Sequence, residues 1–205
     1  MTTVPGEECV GAGDRRDRHV RGVERSLGAD DLGRKVGVSE VFSLVDQNGQ
    51  PVTLTSLRGY TVALTFLDPV CTTDCPTIAQ EFRVTDQQLG SSAARVKFVA
   101  IAANPLYHSV SVVDAFDSQE GLDAEPNWLF LTGTTAQLSA VLNAYGIAVD
   151  VTPAGGMVAH ADTAYVIDAQ GNSRLVLNDD PGSGAADASS FSSLLASEIT
   201  QVMHG

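Results

Sequence analysis

The sequence predicts an α/β fold, and three observations carry that reading. Two runs, "YTVALTFLD" at 60–68 and "RVKFVAIAAN" at 95–104, are apolar almost throughout, as strands covered on both faces are. Between and after them lie segments of helical period, so strands and helices alternate. The chain then closes with a hairpin pattern and one last amphipathic stretch, an ending that suits the antiparallel margin of an otherwise parallel sheet.

Residues 41–45 and 52–54 read as two short strands joined by the turn "DQNG". After the first buried strand, Ile78, Phe82 and Leu89 recur at spacings of four and seven, the stripe of a helix. The second buried strand leads to a helix over 109–121, ended by Gly121. "NWLFLTG" at 127–133 is a third strand. "TTAQLSAVLNAYG" at 134–146 is a helix capped by Thr134 or Thr135 and stopped by Gly146. Residues 162–178 form a hairpin turning at Gln170, Gly171 and Asn172. "DDPGSGAADASS" is a flexible loop, and Phe191, Leu194, Leu195, Ile199 and Val202 mark the face of a terminal helix. This order predicts a thioredoxin-like fold with an N-terminal β-hairpin extension and an additional β-hairpin before the C-terminal helix. Residues 1–36, charged and without period, are expected to be a disordered or loosely attached leader, and 37–205 the domain.

Composition excludes several classes of partner. Twenty-five acidic against twelve basic side chains leave a net charge of −13, which repels nucleic acid and anionic membrane surfaces. At 43% apolar the chain can fill a core, and it is expected to be a monomer. No apolar run approaches the ~18 residues of a membrane span, and the first thirty residues contain no secretory hydrophobic stretch.

Three cysteines are too few for a disulfide scaffold. Cys9 sits in the glycine-rich leader as a bystander. Cys71 and Cys75 stand four apart in "PVCTTDCP", directly after the first buried strand, where an open α/β sheet carries its reactive groups. Pro76 is tolerated in a first helical turn, which predicts Cys75 near the N-cap and Cys71 in the loop before it. Unpaired amides and the helix dipole there favour thiolate over thiol. The spacing allows a disulfide or a shared metal ion equally, so the pair alone does not choose.

A third ligand would choose. His19 and His204 lie near the termini, where solvent is the expected environment. His108 belongs to the rim loop after the second core strand, most simply as an ordinary loop histidine. His160 comes after the glycine-bearing "TPAGGMVA" and precedes the strand that, in thioredoxin-like folds, faces the reactive cysteines. Two thiolates and an imidazole make a soft, three-coordinate site, for which copper leads over zinc and iron–sulfur chemistry. Met157 is an auxiliary soft candidate, with an ordinary loop methionine the plainer reading. Asp68 beside the site, and the acids of 178–182, are expected to be solvated in a chain this acidic. A peroxidase pattern, P-x-x-x-[TS]-x-x-C, matches at Pro69 and Thr73 but meets Pro76 at its eighth position, with Cys75 one residue early. That slip turns the sulfur about 100° around the helix.

These residues resemble the Sco/SenC/PrrC family over about 38–203: the C-x-x-x-C-P motif after a buried strand, "AHADTAYVIDAQG", and "NWLFLTGTTAQLSAVLNAYGI". The resemblance implies that Cys71, Cys75 and His160 bind copper, Cu(I) or Cu(II). It implies a metallochaperone, not an enzyme, serving the CuA site of cytochrome c oxidase, with subunit II or another copper protein as recipient. The alternative is a thiol–disulfide oxidoreductase working through the Cys71/Cys75 redox pair, and a thiol reductant would serve either role. Most relatives are tethered on the extracytoplasmic face of the membrane; without a signal or span in the sequence, the cytoplasm is the other location. Thr72 replaces a proline common in the family motif, and Asn104 in "ANP" replaces the aspartate of the family's "VDP".

Overall fold

The computed structural model describes residues 23–24, 42–151, 156–178 and 188–205. The leader (save Val23 and Glu24), Cys9, His19, Gly155 and most of the 179–190 loop lie outside the described residues.

The main sheet has six strands: β1 (Val23–Glu24), β4 (Thr61–Leu67), β5 (Val96–Ala102), β6 (Trp128–Leu131), β9 (Thr163–Ile167) and β10 (Ser173–Asn178). Their order is β1-β10-β9-β4-β5-β6. β4, β5 and β6 run parallel, while β9 is antiparallel to β4 and to β10. Every residue of β4 and of β9 is buried, which explains the largely apolar character of their sequence. Among the described residues four α-helices connect and cover the sheet: α1 (Asp74–Leu89), α2 (Val110–Glu120), α3 (Thr135–Ala144) and α4 (Ala188–His204). α3 opens with a reciprocal cap, in which Thr134 and Gln137 each bond the other's backbone amide. α4 packs along α1, and the Thr85 hydroxyl donates to the Ser192 carbonyl at 3.3 Å.

Two small hairpins flank this frame. The first, β2 (Ser43–Val45) with β3 (Pro51–Thr53), is the expected N-terminal extension. It is fastened to the far margin of the sheet: Val45 and Thr132 exchange backbone hydrogen bonds at 2.8 Å, and the Phe130 amide donates to Gln47 Oε1 at 3.0 Å. Gly133 makes this approach feasible, since a Cβ there would stand 2.8 Å from a Leu44 methyl. The second hairpin, β7 (Val149–Val151) with β8 (Val158–His160), is read from the sequence only as a loop. Its two strands form a sheet of their own, separate from the main one.

The core centres on Phe66 of β4, fully buried, whose ring meets Tyr145 and Tyr165 edge-on at 5.4 and 6.2 Å. The Tyr165 hydroxyl donates to the Tyr145 carbonyl at 2.7 Å, so that ring's polar end is satisfied, while the buried Tyr145 hydroxyl has no hydrogen-bond partner among the described residues. β4 is therefore a rigid base for the loop that leaves its last residue.

Candidate metal centre

β4 runs directly into the cysteine loop. Thr73 is the N-cap of α1 and Asp74 its first residue, so Cys75 lies inside the first turn and not at the N-cap as its spacing from Pro76 suggests. Proline needs only an orphan amide position, and the whole first turn supplies those. The consequence is chemical. Cys75 is 2% exposed and accepts the Asp68 backbone N–H at 3.3 Å. The neighbouring Cys71 sulfur and burial together push its thiol well above the ordinary range. Cys71 goes the other way: hydrogen bonds from the Cys75 thiol and then from Thr73, whose hydroxyl lies 3.4 Å from Cys71 Sγ, outweigh burial and lower it to about 4. The expectation of thiolate character thus holds for Cys71 and fails for Cys75, because one shared proton has to sit on one of the two sulfurs.

His160 ends β8. Its Nε2 lies 3.6 Å from Cys75 Sγ, and its side chain is 3% exposed. Nδ1 is 3.2 Å from the Ala161 carbonyl, which only accepts, so Nδ1 carries the proton. Nε2 is the ring atom that faces the sulfur, and a singly protonated ring with its hydrogen on Nδ1 offers a lone pair there. An ion bonded at about 2.3 Å to sulfur and 2.0–2.1 Å to nitrogen would see a 3.6 Å separation as an angle of about 110°. Among the described residues no three His, Cys, Asp or Glu side chains are assembled as a metal cluster. A cavity of about 300 Å³ opens over the site, lined by Cys71, Thr73, Asp74, Cys75, Met157, Val158, Ala159, His160 and Asp162. Met157 lies at its mouth, half exposed, its sulfur accepting the Thr72 amide at 3.3 Å.

The other candidates fall elsewhere. His108 does not line this cavity; its Nε2 meets the Thr135 hydroxyl at 3.2 Å, and its carbonyl accepts from Thr132. His204 is exposed at the end of α4. Asp68 corrects the expectation of a solvated acid. It is fully buried, and its carboxylate accepts from the amides of Val70 (3.0 Å) and Val158 (2.7 Å) and from Asn104 Nδ2 (3.0 Å). Its place directly after the seven-residue β4 does not by itself tell a buried acid from a solvated one; the donors do.

A parallel strand ending in a dithiol loop, faced by an imidazole from the segment before an antiparallel strand, defines a thioredoxin-like protein with a soft-ligand rim site. Within that class the chain belongs to the SCO1/SenC family, whose model matches residues 31–189. No curated protein matches its sequence. Among solved structures it is similar to Bradyrhizobium japonicum ScoI with copper bound, at 23% identity and a TM-score of 0.63 over 79% of this chain and 97% of that one. It is similar to Arabidopsis thaliana ScoI with copper bound, at 21% identity and a TM-score of 0.67 over 80% and 99%. A third is BsSco, a member of the Sco family of cytochrome c oxidase assembly proteins with a disulfide switch, at 22% identity and a TM-score of 0.63 over 82% and 95%. At these identities the likeness bears on the fold. Among the described residues no helix is long and apolar enough to cross a membrane.

Proposed function

We propose that the protein is a copper carrier: Cys71, Cys75 and His160 hold one copper ion and pass it by stepwise ligand exchange to a recipient copper protein, subunit II of cytochrome c oxidase in the first instance. The observation that carries this reading is the 3.6 Å approach of His160 Nε2 to Cys75 Sγ, a separation that suits a shared soft ion. Cys71, favoured as thiolate, is the entry ligand. Cys75 yields its proton as the metal–sulfur bond forms, and His160 closes the set without any change of charge. The copper-bound relatives and the Sco assembly role support the same reading. Delivery to that recipient places the protein on the extracytoplasmic face of the membrane, which fractionation of the host checks.

The test is titration of the reduced protein with copper. One ion per chain binds tightly in the wild type; uptake collapses in Cys71→Ser and Cys75→Ser. Affinity falls in His160→Ala by more than the roughly 10–100-fold that an outer contact costs, and the sulfur-to-Cu(II) absorption changes with it. Equal affinity in wild type and His160→Ala overturns the ligand set.

One observation favours a second reading, thiol–disulfide exchange: the two sulfurs are split into a thiolate, Cys71, and a protonated resolving thiol, Cys75. Cys71 would attack a partner disulfide and release one partner thiolate. Cys75, on losing its proton, would displace the second, leaving a Cys71–Cys75 disulfide and a reduced partner. Fast reduction of protein disulfides, unchanged in His160→Ala, selects this role.

A further inference from the structure

The cysteine loop and the histidine hairpin belong to different sheets, and two buried polar side chains bridge them. Asp68 takes the Val158 amide of β8 at 2.7 Å with one carboxylate oxygen, and Asn104 Nδ2 and the Val70 amide at 3.0 Å with the other. Asn104, also fully buried, donates again from Nδ2 to the Gly156 carbonyl at 2.6 Å. Its Oδ1 accepts the amides of Leu106 and Tyr107 at 2.8 and 3.2 Å. Three rim segments, those at 68–71, 104–107 and 156–158, thus meet in one network. Gly156, at φ +105°, adopts a backbone only glycine enters freely. The Asp68 amide meanwhile donates to Cys75 Sγ, so one residue touches a sulfur with its backbone and the histidine strand with its side chain.

We infer that Asp68 and Asn104 are positioning residues that set the Cys75–His160 separation, and that position 104 must be an amide because position 68 is an acid. An amide donates to both the Asp68 carboxylate and the Gly156 carbonyl while accepting two amides on its other end; a carboxylate at 104 has no proton for either contact and repels both. Loss of the donor frees Gly156 and with it the start of β8. The imidazole then leaves the sulfur although no ligand has been altered. The inference rests on the copper-carrier reading, and its test is built to fail separately from it.

The experiment compares wild type, Asn104→Asp, His160→Ala and the double variant, all as full chains well below their unfolding temperatures, with Asn104→Ala standing in should the aspartate variant not fold. Copper affinity of Asn104→Asp drops by about 10–100-fold, its Cu(II) absorption shifts toward that of His160→Ala, and the double variant binds no more than about twofold more weakly than His160→Ala alone. Without copper, the Val158 and His160 amides exchange faster with solvent in Asn104→Asp while those of β4 do not. Wild-type affinity in both Asn104 variants overturns the inference, as do losses that multiply in the double variant or unchanged exchange at Val158. A wild type whose copper binding ignores His160 sinks the carrier reading, and the exchange measurement then still decides the positioning role.

Discussion

The two walls of the site are built on opposite principles. The sulfur wall grows from β4, central in the sheet and buried at every residue, into the first turn of α1. The imidazole wall is a hairpin of three residues per strand outside the main sheet, with Val151 and Met157 half exposed and Val158 its buried residue. Isolated two-stranded hairpins are marginal in water, so this wall borrows its order from Asp68 and Asn104. The proposed carrier role would gain from such a division: the sulfurs stay registered, and the histidine is the side chain that moves at the smallest cost.

The largest effect expected from this contrast is in amide exchange. Amides of β4 and β5 open only with global unfolding, whereas those of β7 and β8 open locally, so protection differs by roughly three orders of magnitude for a domain of ordinary stability. Equal protection breaks the comparison. Next, Phe66→Ala removes the ring between Tyr145 and Tyr165 and costs about 3–5 kcal/mol in denaturant unfolding. Exchange in the hairpin rises with it only once global opening overtakes local opening.

Asp117 sharpens the contrast by acting far from both walls. Burial raises its carboxyl to about 7, against the Trp128 indole N–H that it accepts at 2.9 Å. A folded pKa above the unfolded value of 3.8 contributes stability that is complete below that value and is lost as pH rises through about 7. The span is worth on the order of 4 kcal/mol at 1.36 kcal/mol per pH unit. Asp117→Asn, which cannot ionise, removes this fall; unfolding measured from pH 4 to 8 shows it, with hairpin exchange untouched. The smallest change is expected in thiol chemistry. Alkylation of Cys71 at pH 6 stays within about twofold of its rate at pH 8, where an ordinary thiol slows by about a hundredfold, and Cys75 is modified last. Equal labelling of both sulfurs refutes the asymmetry.

The fold was legible where its causes are local. Nearly continuous apolar runs mark β4 and β5, the Thr134 cap and Gly146 bracket α3, and the turn at Gly171 joins β9 to β10. Of the candidate site, the meeting of Cys71, Cys75 and His160 around one cavity was legible, since motif spacing and strand position show in sequence. The β7–β8 hairpin was not, because Val149–Val151 and Val158–His160 are short and lean on side chains distant in the chain. Asp68 and Asn104 escaped for the same reason. A buried acid is recognised only once its donors are known, and these come from residues 36 and 90 positions away.

The clasp between the N-terminal hairpin and the end of β6 bears on how the protein behaves in company. β6 is the edge strand on the side opposite β1, and the amides that would welcome a foreign chain, those of Phe130 and Thr132, are occupied by Gln47 and Val45. The sheet is sealed against recruiting another molecule's strand along that margin, which leaves the loop-built rim as the surface for the encounters the proposed function needs.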